Sequence, residues 1–197
     1  NSKVAFKERF TKQTSDTEFV VPDTFVSLSR SKEAEAYVKR VGSYDAYLNG
    51  LADIRYDFQQ ERVVYLVKHN NKIVDATGRS LNERKPKWRR YGNSKYPYIC
   101  GRGNIAFVVE DCPSACSMAS IGQGIALMGT TLLDEHVDVI KKYKKVFVAL
   151  DKDATSKAYI MMRKLRNYVP TKLIVLNKDL KDMERGERNE FIRRYID

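Results

Sequence analysis

Glu110, Asp151 and Asp153 are the residues of this chain best suited to chemistry. Ile105-Ala106-Phe107-Val108-Val109 runs into Glu110-Asp111, and Val146-Phe147-Val148-Ala149-Leu150 runs into Asp151-Lys152-Asp153. Continuous apolar runs of this length read as buried parallel strands, and open α/β sheets keep their sites at the carboxyl ends of such strands. If the two strands are neighbours, three carboxylates meet at one sheet edge. They repel one another unless a cation lies among them. An all-oxygen set suits Mg²⁺ or Mn²⁺, shared with substrate phosphates. The outline is that of phosphoryl or nucleotidyl transfer.

Other residues flank this set. Asp111 is either a further ligand or the N-cap of a following helix. Asp179 and Asp182 lie just beyond the last strand, as extensions of a metal site or as surface charge. Gly129-Thr130-Thr131 stands between the two acidic motifs, where a small residue at a strand–helix turn lets a phosphate approach closely.

The elements that must position these groups alternate strand and helix from Asn104 onward. Strands are expected at 105–109, 125–128, 146–150 and 172–176, with helices at 113–120, 133–143, 154–167 and 185–195. That alternation implies right-handed βαβ units and a parallel sheet. The first half reads differently. Residues 1–26 form an extended arm. Ser31 and Ser43 are placed to cap short helices over 32–41 and up to 51. Strands 62–67 and 72–76 form a hairpin across His69-Asn70-Asn71. Residues 79–102 read as a loop-rich basic stretch, and the boundary between halves falls near 103.

The order of the motifs resembles the Toprim domain of bacterial-type primases, topoisomerases and some nucleases, over about residues 104–183. The wording Val108-Val109-Glu110-Asp111-Cys112-Pro113-Ser114-Ala115 and Asp151-Lys152-Asp153-Ala154-Thr155-Ser156-Lys157-Ala158 looks most like phage members. The resemblance implies that Asp151 and Asp153 bind Mg²⁺ and that Glu110 is an acid/base or metal-linked residue. The third acidic motif falls on Asp179, with Asp182 a looser match. Many members have Gly after the Glu and Asp four residues beyond it; here Asp111 and Ser114 stand there.

The basic stretch decides between activities. Arg79, Arg84, Lys85, Lys87, Arg89, Arg90, Lys95 and Arg102 face one acid, Glu83, with Trp88, Tyr91, Tyr96 and Tyr98 interleaved. Cations bind a phosphate backbone and aromatic faces stack on unpaired bases. Arg62–Val67 through Gly78-Arg79 to Lys87-Trp88 is similar to the N-terminal subdomain of the primase polymerase core. By that resemblance Arg79 and Lys87 contact template or nucleoside triphosphate. Trp88, Arg89, Arg90, Arg102 and Lys157 complete the expected nucleic-acid or nucleotide contacts.

With 36 Lys and Arg against 25 Asp and Glu, the net charge of +11 suits a polyanionic partner. No apolar run approaches the roughly 20 residues of a membrane span. Cys100, Cys112 and Cys116 fit a reducing, cytoplasmic setting and are too few for a structural zinc. The chain begins at Asn1 rather than Met, so an upstream segment is expected. Primases commonly read template with a separate zinc module; it lies upstream, sits in a partner, or is absent. No Walker-type loop for a fused helicase occurs, so a replicative helicase would be a separate partner.

The expectation is an α/β Toprim-like parallel sheet over 104–197 beside an α+β subdomain over 27–103. The activity expected is primer synthesis on single-stranded DNA, with a Toprim nuclease or a non-catalytic nucleic-acid-binding factor as alternatives.

Overall fold

The computed structural model describes residues 18–197. Residues 1–17 of the expected arm lie outside them. The first sheet is antiparallel, in the order β1 (Phe25–Ser27), β2 (Ile54–Asp57), β3 (Arg62–His69), β4 (Lys72–Ser80), β5 (Trp88–Arg90). The hairpin between β3 and β4 turns on Asn70 and Asn71, whose φ values of 49° and 63° suit the primed turn that matches strand twist. β3 is buried on both faces, which explains its unbroken apolar run. Val63, Tyr65 and Val67 face the second half of the chain. Val64 and Leu66 face the other way, into a small cluster with Phe25 and Ala76.

Helix α1 (Lys32–Arg40) starts as expected, with Ser31 Oγ accepting the Ala34 N–H at 3.1 Å. The second cap does not form. Ser43 precedes α2 (Tyr44–Leu48), but its hydroxyl bonds the Tyr65 hydroxyl at 2.9 Å in the core. A buried serine finds the stronger stabilisation in a buried partner.

The second sheet has the order β10 (Thr171–Leu173), β9 (Lys145–Val148), β7 (Ile105–Val109), β8 (Gln123–Ala126), β6 (Tyr98–Gly101). The first four are parallel. β6 pairs antiparallel with β8. β1, β2, β5 and β6 were not expected from sequence. β5 and β6 fall in the stretch read as loop, and β6 joins the second sheet although it precedes residue 103. Helix α3 (Cys112–Ser117) covers one face of this sheet, α4 (Asp134–Ile140) and α5 (Thr155–Leu165) the other, and α6 (Arg185–Ile196) ends the chain.

α3 lies close on β8 because Gly124 has no side chain. A Cβ there would stand 2.2 Å from the Ala115 carbonyl oxygen. Phe107, Val109 and Phe147 of the second sheet share one core cluster with Tyr37, Val63 and Tyr65 of the first half. The architecture is a mixed α/β fold whose two sheets bury a common interface. Cys100, Cys112 and Cys116 are buried free thiols within it.

Candidate functional site

The strand order brings the acidic motifs together. β7 and β9 are neighbours in parallel register, Val108 opposite Val148, so Glu110 and Asp151 leave adjacent strands at one edge. β10 sets Asp179 beside Asp151, and the Asp179 carboxylate accepts the Lys152 N–H at 3.1 Å. On the other side β8 leads to Gly129, whose N–H donates to the Glu110 carbonyl at 3.2 Å. Strand neighbours thus deliver every expected acid to the same end of the sheet.

A residue missed in the sequence, Lys181, occupies the middle of this edge. It lies in a short 3₁₀ turn, Leu180–Asp182. Its ammonium is 2.5 Å from Asp111 Oδ2 and 3.3 Å from Asp151 Oδ2. Asp111 divides its oxygens: Oδ2 takes Lys181, while Oδ1 accepts the Ser114 N–H at 3.0 Å as the N-cap of α3. Lys181 gave no signal because it is one lysine in the run Lys178-Asp179-Leu180-Lys181-Asp182. Only the turn after β10 aims it inward.

The electrostatics follow from crowding. Burial raises the Glu110 carboxyl above its ordinary value, and the negative charges of Asp151 and Asp111 raise it further; the Asp151 backbone N–H and Lys181 oppose them. Burial also raises Asp151, against the pull of Lys181 and with Asp111 and Asp179 adding repulsion. Lys181 loses basicity to burial but gains more from Asp111 and Asp151, so it stays charged.

These positions correct one expectation. Among the described residues, no three His, Cys, Asp or Glu side chains are placed to share one ion. Asp153 is exposed in the 3₁₀ turn Lys152–Ala154. Instead of a converging triad there is a pair of carboxylates about an internal ammonium. Ser114, where the resemblance calls for an acid, is buried, and its Oγ has no partner among the described residues. The donor set still suits a hard cation of the Mg²⁺ kind. Such ions are held through one or two carboxylates and completed by water and substrate phosphates, not by a full protein cage.

The basic half meets this edge through Tyr37. Its ring lies 6.0 Å from the Arg79 guanidinium. Burial raises its hydroxyl, with charges from Arg79, Asp111 and Lys181 all acting on it. Arg79 therefore stands near the acids. Two expected contacts are engaged internally. Trp88 is half-buried and packs on Tyr65, ring centroids 6.1 Å apart. Arg90 donates to the wholly buried Asp75, Nε at 3.1 Å and Nη2 at 2.5 Å. Period-two alternation explains both, since Trp88 and Arg90 share the face of β5 turned to the core.

Asp75 was also missed. Its carboxylate accepts the Gly92 and Ser94 N–H groups at 2.8 and 3.2 Å, so it ties the whole 90–94 segment. Lys87, Arg89 and Arg102 are exposed. Lys157, at the start of α5, donates to Thr130 Oγ1 at 3.3 Å and links that helix to the Gly129 turn. A cavity of about 240 Å³ opens beside this turn, lined by Arg90, Lys95, Tyr96, Gly129 and Thr131 among others. Gly129 has φ 154° and no atom near its absent Cβ, leaving its backbone approachable.

No protein-family model matches the chain, and no curated protein matches it. Solved structures do. The Aquifex aeolicus primase zinc-binding and RNA polymerase domains are 22% identical at a TM-score of 0.67, covering 86% of this chain and 56% of that one. The Escherichia coli primase catalytic core is 15% identical at 0.61, covering 85% and 72%. A DNA primase domain from Pseudomonas aeruginosa is 19% identical at 0.59, covering 87% and 62%. The chain thus spans a little over half the length of the Aquifex protein. At these identities the likeness is one of fold.

Proposed function

We infer that this chain, which has the fold of the bacterial primase catalytic core, synthesises short RNA primers on single-stranded DNA by metal-assisted nucleotidyl transfer. One observation carries the reading: Glu110, Asp151 and Asp179 leave adjacent strands at the same sheet edge, in the motif order of a Toprim domain. The phage-type wording of the motifs supports a role in phage DNA replication.

In this reading Asp151 would hold Mg²⁺ or Mn²⁺, with Asp153 reaching it from the exposed 3₁₀ turn and water and substrate phosphates completing its shell. The ion supplies charge stabilisation on the triphosphate when bound. Glu110 is suited to take the proton of an attacking 3′-hydroxyl, because burial and its acidic neighbours raise its basicity. Lys181 contributes a fixed positive charge beside the developing negative charge. The open Gly129 turn and the cavity beside it offer room for a nucleotide. Arg79, Lys87, Arg89 and Arg102 track the template backbone. A separate zinc module or a replicative helicase would supply template choice.

A second reading, a non-catalytic nucleic-acid-binding factor, is favoured by Lys181 and Ser114. An ammonium where a metal would bridge, and a serine for an acid, are what a site that had lost its metal would contain. The test is primer synthesis with single-stranded DNA, labelled ribonucleotides and Mg²⁺ or Mn²⁺, beside the Asp151→Asn/Asp153→Asn variant. Short labelled products from the native chain alone are expected. Intact DNA binding without product would favour the binding factor. Shortening of the DNA without nucleotides would make the chain a nuclease.

A further inference from the structure

A second cavity, of about 290 Å³, lies where the two halves meet at the start of α6. Lys39 and Arg40 from the end of α1, Lys181 from the 3₁₀ turn, and Arg185 and Arg188 from the first turns of α6 line it. Asp45, Asp182 and Glu184 line it as well, so five cations face three acids. Two of the cations are already matched: Arg185 pairs with Asp45 at 3.1 Å, and Lys181 with Asp111 and Asp151. Lys39, Arg40 and Arg188 make no ion pair among the described residues.

Arg188 is the telling member. It is 5% exposed, and its Nε has no hydrogen-bond partner among the described residues. Nη1 donates to the Leu180 and Met183 carbonyls, at 3.3 and 2.9 Å. A buried guanidinium without a close ion pair is costly, and burial and then Arg185 depress its pKa, while Asp45 and Glu184 oppose them. The first turn of α6, a 12-residue helix, adds its positive end to the same space. An anion here would meet a buried charge, two flexible exposed charges and a helix terminus at once. Lys181 joins this cavity to the carboxylate edge, so an occupant would lie next to the transfer site.

We propose that this cavity is a polyphosphate subsite, taking inorganic pyrophosphate or the polyphosphate tail of a nucleotide. The proposal deepens the nucleotidyl-transfer reading, whose leaving group is pyrophosphate. Its planar, forked guanidinium suits Arg188 to a phosphate edge, with Lys39 and Arg40 closing over the outer oxygens.

The test is calorimetric titration of the full chain with inorganic pyrophosphate, in chelator so that no divalent ion contributes. Binding is expected in the native protein and in Lys141→Ala/Lys142→Ala, exposed at the far end of α4. It should weaken about tenfold or more in Lys39→Ala/Arg40→Ala, whose changes lie on exposed side chains. Arg188→Met, with its fold checked by circular dichroism, should lose binding as well. No binding in the native protein, or equal binding in the Lys39/Arg40 variant, overturns the proposal. Displacement of pyrophosphate by short oligothymidylate at similar concentration would also overturn it, by making the cavity a nucleic-acid backbone site. Failure of primer synthesis with pyrophosphate binding intact would sink the primase reading and leave the subsite standing.

Discussion

Lys181 holds its ammonium 3.3 Å from Asp151, so the carboxylate read as a metal ligand already faces a cation of its own chain. The two compete or cooperate, and substitution separates the cases. Lys181→Met leaves Asp111 and Asp151 crowded without compensation, at a cost of about 1–2 kcal/mol in chelator for side chains this largely buried. Added Mn²⁺ should then raise the melting temperature of the variant more than that of the native chain. Equal Mn²⁺ shifts in both proteins would show that Lys181 and the ion do not share a place.

Gly124 tests the packing that sets β8 against α3. A Cβ 2.2 Å from the Ala115 carbonyl cannot be accommodated without moving backbone. Gly124→Ala is expected to cost roughly 3 kcal/mol or more in urea denaturation. A loss under about 1 kcal/mol would mean that α3 shifts freely.

Asp75 anchors the 90–94 segment by accepting from Arg90 and two backbone N–H groups. Asp75→Ala leaves these part-buried donors without their acceptor. The expected loss is about 2–4 kcal/mol, since removing one partner of a buried pair leaves the other uncompensated. Hydrogen exchange should rise across 90–94 before it rises in β3. Uniform protection in the variant would refute the anchoring role.

His136 gives a pH dependence. It is buried, and its Nδ1 accepts the Leu133 N–H at 3.1 Å, which requires the neutral ring. Burial lowers its pKa, so the folded state binds its proton less readily than the unfolded chain. The contribution is complete above the unfolded value near 6.5 and is lost as pH falls below it. Native protein should therefore lose melting temperature between neutral and mildly acid pH more steeply than His136→Gln. Parallel curves would rule the histidine out.

Lys87 and Arg89 test the template face. Both are exposed and close to each other on or beside β5. Lys87→Ala/Arg89→Ala should weaken oligothymidylate binding and reduce the salt slope by about one for each phosphate that is no longer neutralised. An unchanged slope would move the nucleic-acid surface elsewhere.

The second half of the chain was largely legible, because its signals are local. Apolar runs ending in acids mark β7 and β9, and parallel pairing followed from the helices between them. The first half was less so. β2 and β5 are only four and three residues long, too short for their patterns to stand out. Their strand character comes from pairing with the longer strands β3 and β4. The site divides in the same way. Glu110, Asp151 and Asp179 sit at strand ends where position is readable. Lys181, Tyr37 and Asp75 act through contacts that form only when distant elements pack, and Trp88 looked available for bases because its cross-strand face was hidden.

The placement of Tyr98–Gly101 in the second sheet bears on how the protein could be divided. This strand closes the β8 edge, yet it is tethered to the first half by the preceding segment and reaches the Leu51 carbonyl through Cys100. Cutting the chain near residue 103 would leave one fragment with an unpaired, aggregation-prone edge and the other with an orphan strand. The halves are therefore not interchangeable cassettes. They should melt in one cooperative transition, and a chimera exchanging either half at 103 should be insoluble where one exchanging at 97 is not.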